Sequence, residues 1–574
     1  MSAIFDLADG YTVELAGREA LVATLLGVPG HEEDMTDYSP DGVEARAELS
    51  RRTLRDLRGA DVENDADRIC REFMLERLQV DVDMHEAGES WRPLRNLASP
   101  VQQIRQVFDL CPQATVVDWR HIAARLAKIP QAVAGLEATL RQGLDLGLPA
   151  ARRQALVCAQ QAAVWGGTDG DGTAFFLSLA RRCPHDGSLG AELEAGARTA
   201  TQAYAGLAHF LRDDYAPAVP DHDPVGRDRY RLASRAFLGA QVDPDETYAW
   251  GWEELHRIEA EMIRVADRIS PGAGVDKVIE LMTTDPQRAV TGADNLQRFL
   301  QELTDTATAE LNGTHFDIPP QIQRCECMIA PPGGAAAMYY TPPSEDWTRP
   351  GRTWYPTSGR TVFPVWNEVT TAYHEGVPGH HLQVGLMACL KENLSRYQRT
   401  IGFVSGHGEG WALYAERLMG ELGYLENPDY ELGMLVSHLF RAKRVVVDIG
   451  LHLELAIPQG EENAGQRWSW DLAIPFMDHN SPIPGDFTRS EVERYLGMPA
   501  QAISYKVGER AWLDIRAEML RRQGAHFDLK AFHTQALQLG SLGLDQMRSE
   551  MLPAHGSAMA PPAALGGIRD RSAN

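Results

Sequence analysis

A proline–glycine pair, Pro378-Gly379, interrupts an otherwise helix-forming stretch, Tyr373-His374-Glu375-Gly376-Val377-Pro378-Gly379-His380-His381-Leu382-Gln383. Proline removes a backbone hydrogen bond and glycine tolerates unusual dihedrals, so the helix must bulge or break there. The break matters because of the histidines around it. In an ordinary H-E-x-x-H helix, imidazoles at i and i+4 share a face and hold one ion. Here the i+4 position of His374 is Pro378, which cannot ligate. His380 lies roughly 240° around a regular helix from His374, and His381 lies about 10 Å along its axis. Neither would share an ion with His374 on a regular helix. A local insertion of two residues would return His380 to the place of the second histidine.

A second acidic segment follows at residues 409–416, Glu409-Gly410-Trp411-Ala412-Leu413-Tyr414-Ala415-Glu416. Two imidazoles, a ligating carboxylate and an acid beside the first histidine are the parts of a hydrolytic zinc site. A bare pair such as His31-Glu32 carries no such meaning; the combination with Glu409 is what makes the pattern specific. Trp411, Leu413 and Tyr414 read as the packed face of their helix. His407 reads as a capping or loop residue as readily as a site contact.

The H-E-x-x-P-G-H-H-L-Q string, the E-G-W-A-L-Y-A-E segment and the upstream Y-Y-T-P-P-S-E-D resemble the bacterial family known as domain of unknown function 885. So do the residues 441–452 (R-A-K-R-V-V-V-D-I-G-L-H) and 498–506 (M-P-A-Q-A-I-S-Y-K). The matching strings run from about residue 315 to 515, and the N-terminal part is compatible with the same family. That family is similar in architecture to the carboxypeptidase Taq-like metallocarboxypeptidases. The resemblance implies a mainly α-helical, zincin-related fold with a deep cleft. It makes His374, His380 and Glu409 the metal ligands, with His380 rather than His381 second. Glu416, seven residues beyond Glu409, becomes an outer or core acid, and His381 a pocket-lining residue.

The implied chemistry is hydrolysis of a peptide or small amide. One divalent ion, with zinc the first candidate and Mn, Co and Fe suited to the same ligand types, keeps an open position for water and lowers its pKa. Glu375 takes the water proton and passes it to the leaving amine. Tyr505 is the first candidate donor to the developing oxyanion, with Tyr339, Tyr340 and His452 behind it. Arg441 and Arg444, with Asp448 one turn on, suggest a structural ion-pair network rather than capture of a substrate carboxylate. Residues 322–329 alternate like a strand, and extended runs follow at 335–341 and 361–366. They predict a small antiparallel sheet beside the cleft, whose edge an extended peptide could join.

The rest of the chain sets bounds. Helical periodicity marks residues 44–57, 65–78, 101–110, 119–140, 150–165, 189–212 and 245–269. We expect an N-terminal helical region at 1–215, a catalytic region at 216–552 and a loosely ordered tail at 553–574. Acids and prolines alternate through residues 213–228, which read as a hinge. Seven scattered cysteines form no C-x-x-C pair and suggest no disulfide framework. The formal charge of −25 argues against nucleic acid or anionic membrane as the main partner. With no apolar run after Met1, the expected location is cytoplasmic. No phosphate loop or G-x-S-x-G elbow stands out. A metallopeptidase is therefore expected. The same ligands would also serve a hydrolase or lyase of a small non-peptide substrate. Should the Pro378-Gly379 insert disable the site, a non-catalytic peptide-binding scaffold would remain.

Overall fold

The structure, a computed structural model, describes residues 2–185, 187–330, 338–481 and 485–553. The fold is mainly α-helical with two small β-sheets. The predicted helices form, and most extend to a capping residue that periodicity alone does not mark. Residues 44–57 become Pro40–Gly59, whose N-cap Ser39 accepts from the Gly42 N–H. Residues 119–140 become Val116–Asp145, opened by a capping box between Thr115 and Asp118. Residues 245–269 become Pro244–Ile269, capped by Asp243. Among the described residues no helix is long and apolar enough to cross a membrane.

The chain packs into two compact units, each discontinuous in sequence. One takes in residues up to 236 with 447–475 and a segment ending at 501; the other takes in 237–446, a segment beginning at 476, and the chain from 502 onward. The first unit encloses an apolar core that includes Val101, Ile104, Trp119, Leu126, Leu136, Leu193 and Tyr204. The stretch read as a hinge begins inside the π-helical turn Phe210–Tyr215. It is tied back by Arg152 to the Ala216 and Val219 carbonyls and by Arg153 to Asp223. Of the 553–574 tail, all but Pro553 lies outside the described residues.

The second unit holds both sheets. Strand β1 (Ala289–Thr291) pairs antiparallel with β5 (Val362–Pro364). The three-stranded sheet has the order β2 (Cys325–Ile329), β4 (Gly351–Tyr355), β3 (Tyr339–Thr341). Its pairing corrects the expectation of an antiparallel sheet: β2 runs parallel to β4, and only β3 runs antiparallel. The sequence reading missed β4, the central strand. Residues 335–337 of the expected run 335–341 lie outside the described residues. The outer edge of β2 is already occupied. Gln301 donates to the Cys325 carbonyl at 2.8 Å and accepts from the Cys327 N–H at 2.8 Å, and Gln297 donates to the Cys327 carbonyl at 2.7 Å. Side-chain amides thus take the place of a neighbouring strand.

Candidate metal centre

The break at Pro378-Gly379 is an insertion of two residues. One helix, Glu368–Glu375, ends at the histidine–glutamate pair, and another, His380–Cys389, begins at the second histidine. In a continuous helix the Tyr373 carbonyl would accept from the N–H of residue 377. Instead it accepts from the Gly379 N–H at 3.0 Å. The helical ladder therefore resumes two residues late, and His380 takes the place of an i+4 histidine. Only glycine fits at the join, since a Cβ on Gly379 would lie 2.0 Å from the His374 carbonyl oxygen. The indole of Trp411 donates to the carbonyls of Pro378 at 2.9 Å and Gly379 at 3.2 Å. Read from sequence as packing alone, Trp411 also supplies a donor to the Pro378 carbonyl and shares the Gly379 carbonyl with the Gln383 N–H.

That join brings His374, His380 and Glu409 together. His374 Nε2 and His380 Nε2 each lie 3.5 Å from the same oxygen, Oε2 of Glu409. The three ligand atoms all fall within 4.8 Å of one another. With bonds of about 2.1 Å, two ligands of a tetrahedral zinc ion sit about 3.4 Å apart. The histidine–carboxylate spacings match that value, so the donor set fits a divalent ion. The two imidazoles stand at 88°, with ring centroids 4.9 Å apart.

Glu416 lies two turns after Glu409 on the helix Ser405–Glu421 and is fully buried. Its Oε1 accepts from His374 Nδ1 at 2.8 Å, and its Oε2 accepts from the Thr370 hydroxyl. This contact commits Nδ1 of His374 as the donor and leaves Nε2 to face Glu409, the arrangement that orients metal-binding histidines. Burial opposes charge on His374, but the Glu409 and Glu416 carboxylates outweigh it and hold its pKa up to about 9. Burial likewise opposes charge on Glu409, yet the two histidines hold its carboxyl well below the usual range. Glu375 ends the first helix, buried beside His374.

The neighbouring histidine has another task. His381 donates from Nε2 to the Ile322 carbonyl at 2.8 Å and accepts at Nδ1 from the Tyr340 hydroxyl at 3.1 Å. Burial pushes its pKa down to about 4. Both nitrogens are engaged, and the pair fastens β3 to the residue after His380. Tyr340 is thereby committed to His381, while Tyr339 stacks on Trp354. Tyr505 carries the guanidinium groups of Arg441 and Arg444 over its ring, 5.7 and 4.8 Å from its centre.

The expected network of Arg441 and Arg444 with Asp448 is not what the carboxylate does. Asp448 accepts from the Tyr230 hydroxyl at 2.6 Å and the Ala500 N–H at 2.9 Å. Arg441 instead lies 3.9 Å from Glu416 and bonds Ser437. His452, buried in the first unit, donates to the Tyr495 carbonyl at 2.9 Å. His407 is fully buried and packs edge-on to Trp512. Sequence reasoning missed His438, Thr370 and Glu509. None belongs to a recognisable string, and all three reach Glu416 or its neighbours from separate helices.

The family described as "Bacterial protein of unknown function (DUF885)" matches residues 21–551. No curated protein is significantly similar to the chain. Among the solved structures that share its fold are two bacterial proteins. One is a "putative lipoprotein" from Colwellia psychrerythraea, with a TM-score of 0.80 and 20% identity over 96% of this chain and 98% of that one. The other is a "putative lipoprotein of unknown function" from Shewanella oneidensis, with a TM-score of 0.73 and 16% identity over 96% of this chain and 100% of that one.

Proposed function

The chain belongs to the bacterial DUF885 family, and from that premise we propose that it is a metal-dependent peptidase acting on peptides or small amides. One observation carries the reading: two imidazoles converge on a single carboxylate oxygen at 3.5 Å each, with His374 oriented from behind by Glu416. His374, His380 and Glu409 would hold the ion, with zinc the first candidate among the divalent metals that two imidazoles and a carboxylate suit. Such an ion polarises water and a substrate carbonyl. Glu375 is the proton acceptor for the attacking water and returns the proton to the leaving amine. Tyr505 is the donor to the developing negative charge. An extended substrate would pair with β3, because side-chain amides already fill the edge of β2. This division of labour is that of a carboxypeptidase or oligopeptidase and follows the likeness to carboxypeptidase Taq-like enzymes.

The test is elemental analysis of the purified protein beside His374→Ala, followed by a panel of peptides and small amides with Glu375→Gln as control. Stoichiometric zinc lost in His374→Ala, with peptide turnover lost in Glu375→Gln, is the expected result. Bound zinc without turnover of any peptide or amide would move the reading to a hydrolase or lyase of a non-peptide substrate. No metal after supplementation would leave a peptide-binding protein without catalysis. For location, the description of each structural neighbour as a "putative lipoprotein" favours the cell envelope over the cytoplasm. Cell fractionation with an antibody to the chain decides between them.

A further inference from the structure

We infer that His438 and Glu509 are positioning residues for the metal centre, acting on His374 through Glu416. The inference rests on the reading of His374 as a ligand. Glu416 faces His438 Nε2 across 3.4 Å, and Nδ1 of the same ring faces Glu509 across 3.6 Å. All three side chains are buried. Glu509 is gripped by Arg417 and Lys506, and Lys506 lies 2.6 Å from Glu254. Glu254 in turn bonds Arg257 at 2.6 and 2.7 Å, where the chain of charges reaches the surface. A continuous alternation of acid and base therefore runs from the back of His374 to the helix Pro244–Ile269.

This contact is built into the helix packing. The helices Ser405–Glu421 and Ser504–Gln523 meet backbone to backbone, since a Cβ on Gly508 would lie 2.0 Å from the Gly406 carbonyl oxygen. That approach carries Glu509 to within reach of Arg417 and His438. The imidazole of His438 stands between the two acids. A neutral imidazole has one N–H and one acceptor, so it distinguishes the carboxylates rather than serving both alike. Together with the Thr370 hydroxyl it occupies the Oε2 side of Glu416, which leaves Oε1 for His374. A ligand held by an oriented outer carboxylate binds metal more tightly, typically by about 10–100-fold.

The experiment measures zinc affinity by chelator competition, with cobalt absorption as a second readout. The wild type is compared with His438→Gln, Glu509→Gln and the control His407→Gln, which alters an equally buried histidine in the same unit. We expect zinc affinity to fall by about 10–100-fold in the first two variants and to stay within about threefold in the control. The cobalt d–d bands should shift in His438→Gln alone among the histidine variants. Equal affinity and unchanged bands in folded His438→Gln and Glu509→Gln would overturn the inference while leaving the metal centre intact. Equal loss in all three would make the effect one of packing and would also overturn it. Wild type that binds no zinc would overturn the metal reading and this inference with it. If Glu509→Gln fails to fold, His438→Gln with the cobalt spectrum still decides.

Discussion

The helix Val116–Asp145 buries Trp119, Ile122, Leu126, Ile129, Val133 and Leu136 against other apolar side chains. The helix Ser405–Glu421 buries Trp411, Leu413 and Tyr414, but also His407 and Glu416, and it faces His438 and Glu509. In the first region each buried aliphatic side chain adds roughly 1.5–3 kcal/mol by leaving water. In the second, removing a carboxylate from water is unfavourable unless partners replace the lost solvation. Glu416 has such partners in Thr370 and His374. Buried charge of this kind is weak evidence of stability and strong evidence of a placed chemical group. The difference teaches where to expect function: the first interior holds the fold, and the second holds an arrangement of donors.

The comparison breaks most decisively at the ligands. His380→Ala should lose stoichiometric zinc altogether, whereas His381→Ala should retain it, since that ring serves Ile322 and Tyr340. Metal analysis giving the reverse pattern would invalidate the two-residue insertion as the device that places His380. Next comes Glu375→Gln, which should lower peptide turnover by about 10²–10⁴-fold with zinc content unchanged. Equal turnover would remove Glu375 from the reaction.

The opposite signature belongs to the apolar interior. Leu126→Ala should lower unfolding free energy by about 2–5 kcal/mol and leave zinc affinity as it was. A loss of zinc affinity in folded Leu126→Ala would show that the apolar interior also sets the site.

A pH dependence belongs to the first unit as well. Burial raises the Asp448 carboxyl from its ordinary 3.8 to about 7. Between those values the folded chain keeps a proton that the unfolded chain has released. The stabilisation is fully present below about pH 4 and is lost as pH rises through about 7. Asp448→Asn should flatten urea midpoints across that window. An unchanged slope would show that another group titrates there.

What could be read from residues alone was what local physics fixes. Periodicity marked the helices, because an amphipathic face repeats every 3.6 residues wherever it packs. Pro378-Gly379 marked the break and even its length, because backbone geometry there depends on neighbours in sequence. His374 and His380 were legible from the two-residue insert between them, and Glu409 from the resemblance that its segment carries. The pairing of β2 with β4 was not, since parallel pairing depends on where the intervening chain returns. Nor was the departure of Asp448 from Arg441 and Arg444. One turn of helix places those residues near one another, but Tyr230 and Ala500 arrive from elsewhere and donate to the carboxylate. His438 and Glu509 were equally silent, for an isolated histidine or glutamate carries no spacing signal. Only close packing of separate helices, made at Gly508, turns them into neighbours of the site. The sequence by itself determined the helices, the break and the candidate ligand residues; the tertiary structure alone decided which charges meet behind them, because those meetings depend on backbone approach between segments far apart in the chain.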